Sequence, residues 1–240
     1  MQGPNSLDIL LSLGGDEAAL AAVRALKWAE VAQVTLGGFN LIVSRTGYTG
    51  ERVAFELFVH PEQAANLFKA LVDAGATPCG LAARDSLRTE AGLPLYGHEL
   101  EGPLKLNPAD AGFGAYVKLY KPFFVGKLPF AMHEREREGV VARFRLVNKG
   151  ARPPHQGDPI VDERGRVVGI VTSCSIDSEG YQLGQAFVRN EYKKEGTQLA
   201  VFAGSARAKV KSPAELKLGA RATVPEPIVV LSRFPKRGKK

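Results

Sequence analysis

The spacing of apolar residues changes after Lys127 and divides the chain into two regions. Before Lys127, some stretches have Ala and Leu at helical spacing, and others alternate apolar and polar residues between glycine-containing turns. After Lys127, the apolar residues form short alternating runs separated by turn residues. We therefore predict an α+β fold, in which a mixed helix and antiparallel-sheet region is followed by a small all-β, barrel-like domain.

The elements of the first region follow from these patterns. Two short helices are expected within residues 5–26, with a break at Gly14-Gly15, and further helices at 61–74 and 81–90. The predicted strands of this region are 31–36, 40–46 and 54–60. In the second region the predicted strands are 140–147, 158–161, 167–173, 182–189 and 198–201, with a hairpin turn at 162–166.

Four segments are predicted along the chain. Residues 1–130 form the α+β region, and the alternating charges of residues 131–138 form a solvated connector. Residues 139–212 form the barrel-like domain, and residues 213–240 form a basic, proline-containing tail with an extended or loosely packed backbone.

Composition narrows the class of protein. With 240 residues and 45% hydrophobic residues, the chain is long and apolar enough to bury a sizeable core. No apolar run approaches the roughly 20 residues that cross a bilayer, and the N-terminus lacks the features of a signal peptide. Cys79 and Cys174 lie far apart and have no ligand-like partners, which favours reduced thiols, a cytoplasmic protein and no metal site.

The net charge of +7 is concentrated near the C-terminus. Residues 203–240 contain ten Lys or Arg and two Glu, so they carry a net charge of +8 and the rest carries −1. This segment either keeps the protein soluble or contacts an acidic partner. No RNA-binding motif, zinc finger, phosphate-binding loop or dinucleotide fingerprint is present, so we expect neither nucleic-acid nor nucleotide binding.

The stretch SRTGYTGE, residues 44–51, predicts a sharp turn that presents polar groups. In the strand that follows, alternation places Phe55 and Leu57 on one face and Glu56 and Phe58 on the other. The Glu56 carboxylate either faces water or binds a ligand rich in N–H groups, and the sequence leaves both readings open.

The stretch CGLAARDSLRTEAGLPLYGHE, residues 79–99, contains a predicted helix that carries Arg84 and Arg88 four positions apart. These arginines belong either to an ion-pair network with nearby acids or to a clamp on a carboxylate or carbonyl-rich ligand. No catalytic residue is identifiable from spacing alone.

Several motifs together resemble one family. SRTGYTGE followed by FEL, then GLAARDSLRTEAGLPLYGHEL, NPADAGFGAYVKLYKPFFVGK and VGIVTSCS, are similar to the aminomethyltransferase of the glycine cleavage system, the T protein. The resemblance runs from Gln2 to about Phe202. It implies a tetrahydrofolate site within residues 1–130, lined by Tyr48, Glu56 and Arg84.

The resemblance also implies a reaction and partners. A lipoyl carrier protein of the glycine cleavage H-protein type would present an aminomethyl group to tetrahydrofolate, giving 5,10-methylenetetrahydrofolate and ammonia. Alternatives are a non-catalytic folate-binding or interaction protein on the same scaffold, or a folate-dependent demethylase. The implied activity involves no nucleic acid and no membrane.

The sequence departs from the family pattern at three places. The family segment that precedes QGP, with a further catalytic Asp, has no counterpart, so we expect a second chain or a longer chain to supply it. Arg52-Val53-Ala54 replaces the usual Asp-Gly of the turn, and Ala115-Tyr116 replaces a frequent Trp.

Overall fold

The computed structural model describes residues 1–204 and 223–235. The chain divides into two compact units, Met1–Arg84 and Asp85–Lys240. The α-helices are α1 (Ser6–Ser12), α2 (Glu17–Ala25), α3 (Pro61–Asp73), α4 (Leu81–Glu90) and α5 (Lys127–Glu136). The strands are β1 (Val31–Leu36), β2 (Phe39–Ser44), β3 (Glu56–Phe58), β4 (Gly139–Leu146), β5 (Pro159–Val161), β6 (Val167–Ile176), β7 (Gln182–Arg189), β8 (Gln198–Val201) and β9 (Glu226–Leu231).

Local sequence signals set the elements of Met1–Arg84. The Asp16 side chain caps α2 by accepting a hydrogen bond from the Ala19 amide at 2.7 Å, and α3 begins with Pro61, which suits a first helical turn. Gly37 and Gly38 join β1 to β2 with φ of 55° and 80°, the left-handed conformations that a tight two-residue hairpin requires.

The three strands of this unit form an antiparallel sheet in the order β1-β2-β3. One face of the sheet packs against the helices, because the alternating residues of β1 and β2 that face inwards are apolar. The buried core of the unit consists of Leu10, Val23, Val34, Leu36, Leu41, Val43, Phe55, Leu67 and Leu71. Leu57 packs against this core whereas Glu56 and Phe58 are exposed, so the predicted alternation of this strand is confirmed.

The second unit contains a closed six-stranded antiparallel barrel in the order β4-β7-β6-β5-β8-β9. Alternating apolar side chains fill its interior, which explains the short apolar runs of the sequence. One close contact depends on glycine: a Cβ at Gly184 would lie 2.4 Å from Cζ of Phe144 and 2.5 Å from the carbonyl oxygen of Ser173. The predicted fold class is confirmed by this combination of a mixed α/β-sheet region and a barrel.

Two segments differ from the sequence interpretation. The charged residues 133–136 of the expected connector belong to α5, a helix that the sequence did not predict. No glycine or proline interrupts residues 130–138, and Glu134 pairs with Arg137 at 3.2 Å, one turn apart. Residues 226–231 of the expected tail form β9, which pairs with β4 and β8 and closes the barrel. The remainder of the expected tail lies outside the described residues, except for residues 223–225 and 232–235.

The predicted boundaries at residues 130, 138 and 212 stay predictions.

In the described ranges, 1–204 and 223–235, none of the helices combines the length and the apolar character needed to cross a bilayer.

Candidate functional site

The loop at residues 45–55 joins β2 to β3 and contains most of the SRTGYTGE stretch. Gly47 leaves no room for a side chain, because a Cβ there would lie 2.4 Å from Cβ of Ala54 and 3.0 Å from Oε1 of Gln2. Gly50 has a φ of 83°, a conformation that favours glycine. Close packing therefore explains the first glycine of the stretch, and backbone conformation explains the second.

Gln2 fixes the middle of this loop. Its Oε1 accepts hydrogen bonds from the backbone N–H of Tyr48 at 3.1 Å and from Oγ1 of Thr49 at 2.5 Å. The backbone of Gln2 also forms an antiparallel bridge with Ala54. No role for Gln2 could be predicted from the sequence, since its contacts lie 46 and 47 positions away and leave no local spacing signal. Its place in the QGP motif was the one sign of importance.

Tyr48 and Arg84 are brought together by the fold. The guanidinium carbon of Arg84, on α4, lies 4.5 Å from the centroid of the Tyr48 ring. Arg84 is exposed and Tyr48 is half-buried, so the arginine covers one side of the ring while its N–H groups remain accessible. Two of the three residues predicted to bind a cofactor thus lie in direct contact.

Glu56 is connected to the same loop through two hydroxyl groups. Glu56 begins β3 opposite Ser44 of β2, and its Oε2 accepts a hydrogen bond from Oγ1 of Thr46. Since the Thr46 hydroxyl gives its proton to Glu56, the Ser44 hydroxyl donates to Thr46 at 2.9 Å. The Glu56 carboxylate is exposed, which agrees with the reading that places it in water in the absence of a ligand.

Arg88 has a different environment from Arg84. Its side chain is 1% exposed, and it donates to Glu99 at 2.8 Å, to Asp85 at 2.6 Å and to Oγ of Ser173 at 2.8 Å. Glu99 is fully buried and also accepts a hydrogen bond from Oγ1 of Thr172 at 2.5 Å. The ion-pair network proposed from the sequence is therefore confirmed for Arg88, whose donors are engaged by the protein itself.

Two cavities among the described residues are lined by other parts of the chain. One, of about 350 Å³, lies among α5, β4 and β9 and includes Arg233 in its wall. Burial lowers the pKa of Arg233 to about 10, and its guanidinium donates to the carbonyls of Gly92 and Ala111 at 2.6 Å each. The other cavity, of about 360 Å³, is lined by residues of α2, β1 and β2. Tyr48, Glu56 and Arg84 line neither cavity.

The two cysteines of the chain lie in different environments. Cys79 is exposed and Cys174 is half-buried, and both are free thiols. Burial, together with the charges of Asp158 and Asp85, raises the pKa of the Cys174 thiol to about 12, which disfavours the reactive thiolate. No group of three or more His, Cys, Asp or Glu side chains is placed as metal ligands among the described residues.

Comparison with known proteins supports one family. Residues 1–121 match the family described as the GCVT N-terminal domain. The chain is 38% identical over 214 residues to an aminomethyltransferase of Cutibacterium acnes, a match that covers 84% of this chain and 55% of that protein. It is 41% identical over 205 residues to an aminomethyltransferase of Streptomyces avermitilis, covering 82% of this chain and 53% of that protein.

A solved structure is similar over almost the whole chain. The glycine cleavage system aminomethyltransferase T from Bartonella henselae aligns with a TM-score of 0.75 and 25% sequence identity, covering 96% of this chain and 57% of that one. The chain spans about half the length of the relatives it matches. The family match and these alignments agree with the motifs of the sequence, and the chain therefore belongs to the GCVT family, as an aminomethyltransferase homologue that corresponds to about half of a full-length T protein.

Proposed function

We propose that the chain binds tetrahydrofolate at Tyr48, Glu56 and Arg84 and takes part in aminomethyl transfer from a lipoyl carrier protein. The products would be 5,10-methylenetetrahydrofolate and ammonia. The observation that carries the proposal is the contact of Arg84 with Tyr48 on the loop whose Thr46 is hydrogen-bonded to Glu56.

The three side chains fit the chemistry of a reduced pterin. A pterin presents an amino group and ring N–H groups, which a carboxylate such as that of Glu56 accepts. Its pyrimidine ring is flat and matches the face of Tyr48, and the carbonyl and glutamate oxygens of the folate suit the N–H groups of Arg84. Glu56 and Arg84 are both exposed, so neither has to leave a buried partner before it binds a ligand.

The role of these residues is to bind and orient. When bound, tetrahydrofolate would supply two N–H groups whose nitrogens take the methylene carbon, while the bonds from that carbon to the amino group and to the lipoyl sulfur break and the two displaced protons complete the released ammonia and thiol. Gln2 and Gly47 hold the loop, Thr46 directs the Glu56 carboxylate, and Arg84 fixes one side of the Tyr48 ring. Orientation of this kind supplies a large part of the acceleration in reactions between two substrates.

Partners and location follow from the same proposal. A carrier of the glycine cleavage H-protein type would deliver the aminomethyl group, and the net charge of +8 at residues 203–240 would attract an acidic carrier. A cytoplasmic location agrees with the two free thiols.

A second candidate is folate binding without catalysis. The chain spans about half the length of its relatives, and none of the described side chains has an assigned catalytic role. Binding and turnover therefore require separate measurements.

The binding test uses calorimetric titration of the chain with tetrahydrofolate. Replacement Glu56→Gln should weaken binding by about 1–3 kcal/mol, because the ligand's N–H groups would face a badly paired side chain. Glu62→Gln, at an exposed position on α3, is the matched control and should leave binding unchanged. Equal affinities for the wild type and the Glu56 variant would remove Glu56 from the site.

The activity test measures formation of 5,10-methylenetetrahydrofolate from an aminomethyl-loaded carrier. We expect the 240 residues alone to be about 10²–10⁴ times slower than in the presence of the rest of a family member, the range for a missing acid–base group. Full turnover by this chain alone would show that its own residues contain the catalytic group. Inactivity in both conditions, with folate binding retained, would favour the non-catalytic candidate.

A further inference from the structure

Residues 116–132, here called the apolar arm, contain more exposed large apolar side chains than any other stretch of similar length among the described residues. Val125 is 93% exposed, Tyr120 81% and Phe123 79%, and Tyr116, Leu128 and Met132 are also more than half exposed. Single exposed apolar side chains are normal, whereas six within 17 residues are an unusual concentration of exposed apolar side chains in one segment.

The backbone of the apolar arm is held in a defined shape. The ammonium group of Lys118 donates to the carbonyl of Ala115 at 2.7 Å, and that of Lys127 donates to the carbonyl of Lys121 at 2.6 Å. Backbone hydrogen bonds also close turns within the arm, and α5 begins at Lys127. The exposed side chains are therefore presented by a folded segment, which lowers the entropy that a partner must remove on binding.

The charged residues within the apolar arm are all lysines. The sequence from Ala111 to His133 contains three lysines and no Asp or Glu. Exposed apolar side chains interspersed with cations match a partner surface that combines apolar side chains with carboxylates.

The length of the relatives identifies the partner. This chain corresponds to 57% of the Bartonella aminomethyltransferase and 55% of that of Cutibacterium acnes, so the family contains a further 40% or so of its length that this chain does not. The three exposed aromatic rings alone offer on the order of 400 Å². That is about half of what one partner contributes to an interface of standard size.

We propose that the apolar arm is the surface on which the remaining part of the family's length packs, whether that part belongs to the same polypeptide or to a second chain. This inference rests on family membership and on the exposed side chains, and it does not depend on folate binding. It gives the expected partner a docking surface within Asp85–Lys240.

The test mixes the 240-residue chain with the part of the Cutibacterium acnes aminomethyltransferase that lies outside the matched segment. We expect a one-to-one complex by analytical ultracentrifugation, and slower hydrogen exchange at residues 116–132 in the complex than in the free chain. The corresponding parts of the Streptomyces avermitilis and Saccharopolyspora erythraea relatives serve as replicates.

Two variants separate docking from folding. Phe123→Ser combined with Val125→Ser should weaken the complex by at least about tenfold, since removal of two buried side chains exceeds 1.4 kcal/mol. Val167→Ser, at a position 60% exposed on β6, should leave the affinity unchanged. Circular dichroism of each variant verifies that the barrel is intact.

Other results would overturn the inference. These are failure of all three relatives' parts to bind, or a complex in which residues 116–132 exchange as fast as in the free chain. The same conclusion would follow if residues 116–132 were instead protected by self-association, by an acidic lipoyl carrier, or by vesicles of phosphatidylserine and phosphatidylcholine, with no protection by the relatives' parts.

Discussion

Arg84 and Arg88 lie one helical turn apart on α4, and their guanidinium groups have contrasting surroundings. Arg84 is exposed and covers one side of the Tyr48 ring, whereas Arg88 is buried and bound to Glu99, Asp85 and Ser173. The first arrangement leaves donors accessible, and the second uses them within the protein. The difference shows that the same residue type at helical spacing can supply one group for a ligand and another for the fold.

The surrounding regions repeat this contrast. In Met1–Arg84, Thr46 of the loop and Glu56 of β3 lie at or near the surface. Gln2 holds the loop, and neighbouring hydroxyl groups position the Glu56 carboxylate. In Asp85–Lys240, Arg88 and Glu99 are buried and are hydrogen-bonded to Ser173 and Thr172 of β6. We therefore expect substitutions in the loop to act on ligand binding and substitutions around Arg88 to act on stability.

The largest expected effect follows from removal of the buried arginine. Arg88→Ala leaves the Glu99 carboxylate buried without its cation, which costs about 3–5 kcal/mol of the free energy of unfolding. Arg84→Ala is the matched control and should change that free energy by less than about 1 kcal/mol, because its side chain is exposed and loses only the contact with the Tyr48 ring. Urea unfolding followed by circular dichroism measures both.

A double variant sharpens this result. Arg88→Met with Glu99→Leu removes both charges and should recover much of the stability lost in Arg88→Ala, since no uncompensated charge remains. Equal losses for Arg84→Ala and Arg88→Ala would contradict the contrast between the two arginines.

A second prediction compares the stability effect of adding a methyl group at a closely packed glycine of the barrel and at a glycine with free space around it. Gly184→Ala places a Cβ 2.4 Å from Phe144 and 2.5 Å from the backbone of Ser173, so the strands must move and the free energy of unfolding should fall by about 1–3 kcal/mol. Gly80→Ala meets no atom within 4 Å and should be neutral. Thermal unfolding of the two variants provides the comparison, and a neutral Gly184 variant would show that the barrel tolerates a wider spacing here.

The sequence predicted much of the local structure and less of the long-range pairing. Strands Val31–Leu36, Gln182–Arg189 and Gln198–Val201 have the predicted bounds because alternating apolar residues and flanking turns mark them. Strand β9 was not predicted because Glu226–Leu231 lies among prolines and basic residues. One of its partners, β4, is far away in the sequence, and the other, β8, is nearer. The closure of a barrel has no local signal.

The candidate site shows the same limit. Alternation placed Glu56 and Leu57 on opposite faces of their strand and left the exposure of Glu56 open, and Arg88 was assigned to an ion-pair network as one of two alternatives. The grouping of Tyr48, Glu56 and Arg84 came from the resemblance to a family, since no spacing rule connects residues 48 and 84. Gln2 was missed because its partners lie on a loop that only the folded chain brings near it.

A third effect tests the loop itself. Gln2→Leu removes the acceptor shared by the Tyr48 amide and Thr49, so the loop should become less ordered and tetrahydrofolate binding should weaken by about 0.5–1.5 kcal/mol. Gln33→Leu, on the exposed face of β1, is the control and should bind as the wild type does. Calorimetric titration with tetrahydrofolate, at a temperature where both variants are fully folded, compares their affinities. Unchanged binding by the Gln2 variant would show that the loop needs no support from Gln2.

The smallest expected effect is pH-dependent and belongs to the barrel. Burial of Asp162 would raise the pKa of its carboxyl, but hydrogen bonds from the N–H groups of Arg166 and Arg164, from the Arg166 side chain and from the Tyr192 hydroxyl lower that pKa to about 2. The folded state thus binds this proton less readily than the unfolded state, so the group stabilises the fold above pH 4 or so and loses that contribution as the pH falls towards 2. Asp162→Asn should therefore be less stable than the wild type near neutral pH and should lose less stability between pH 4 and pH 2. The control, Glu163→Gln at the exposed turn position beside it, should follow the wild-type profile. Urea midpoints measured across this range test the prediction, and parallel profiles for wild type and Asp162→Asn would mean that the hairpin turn forms without help from the Asp162 charge.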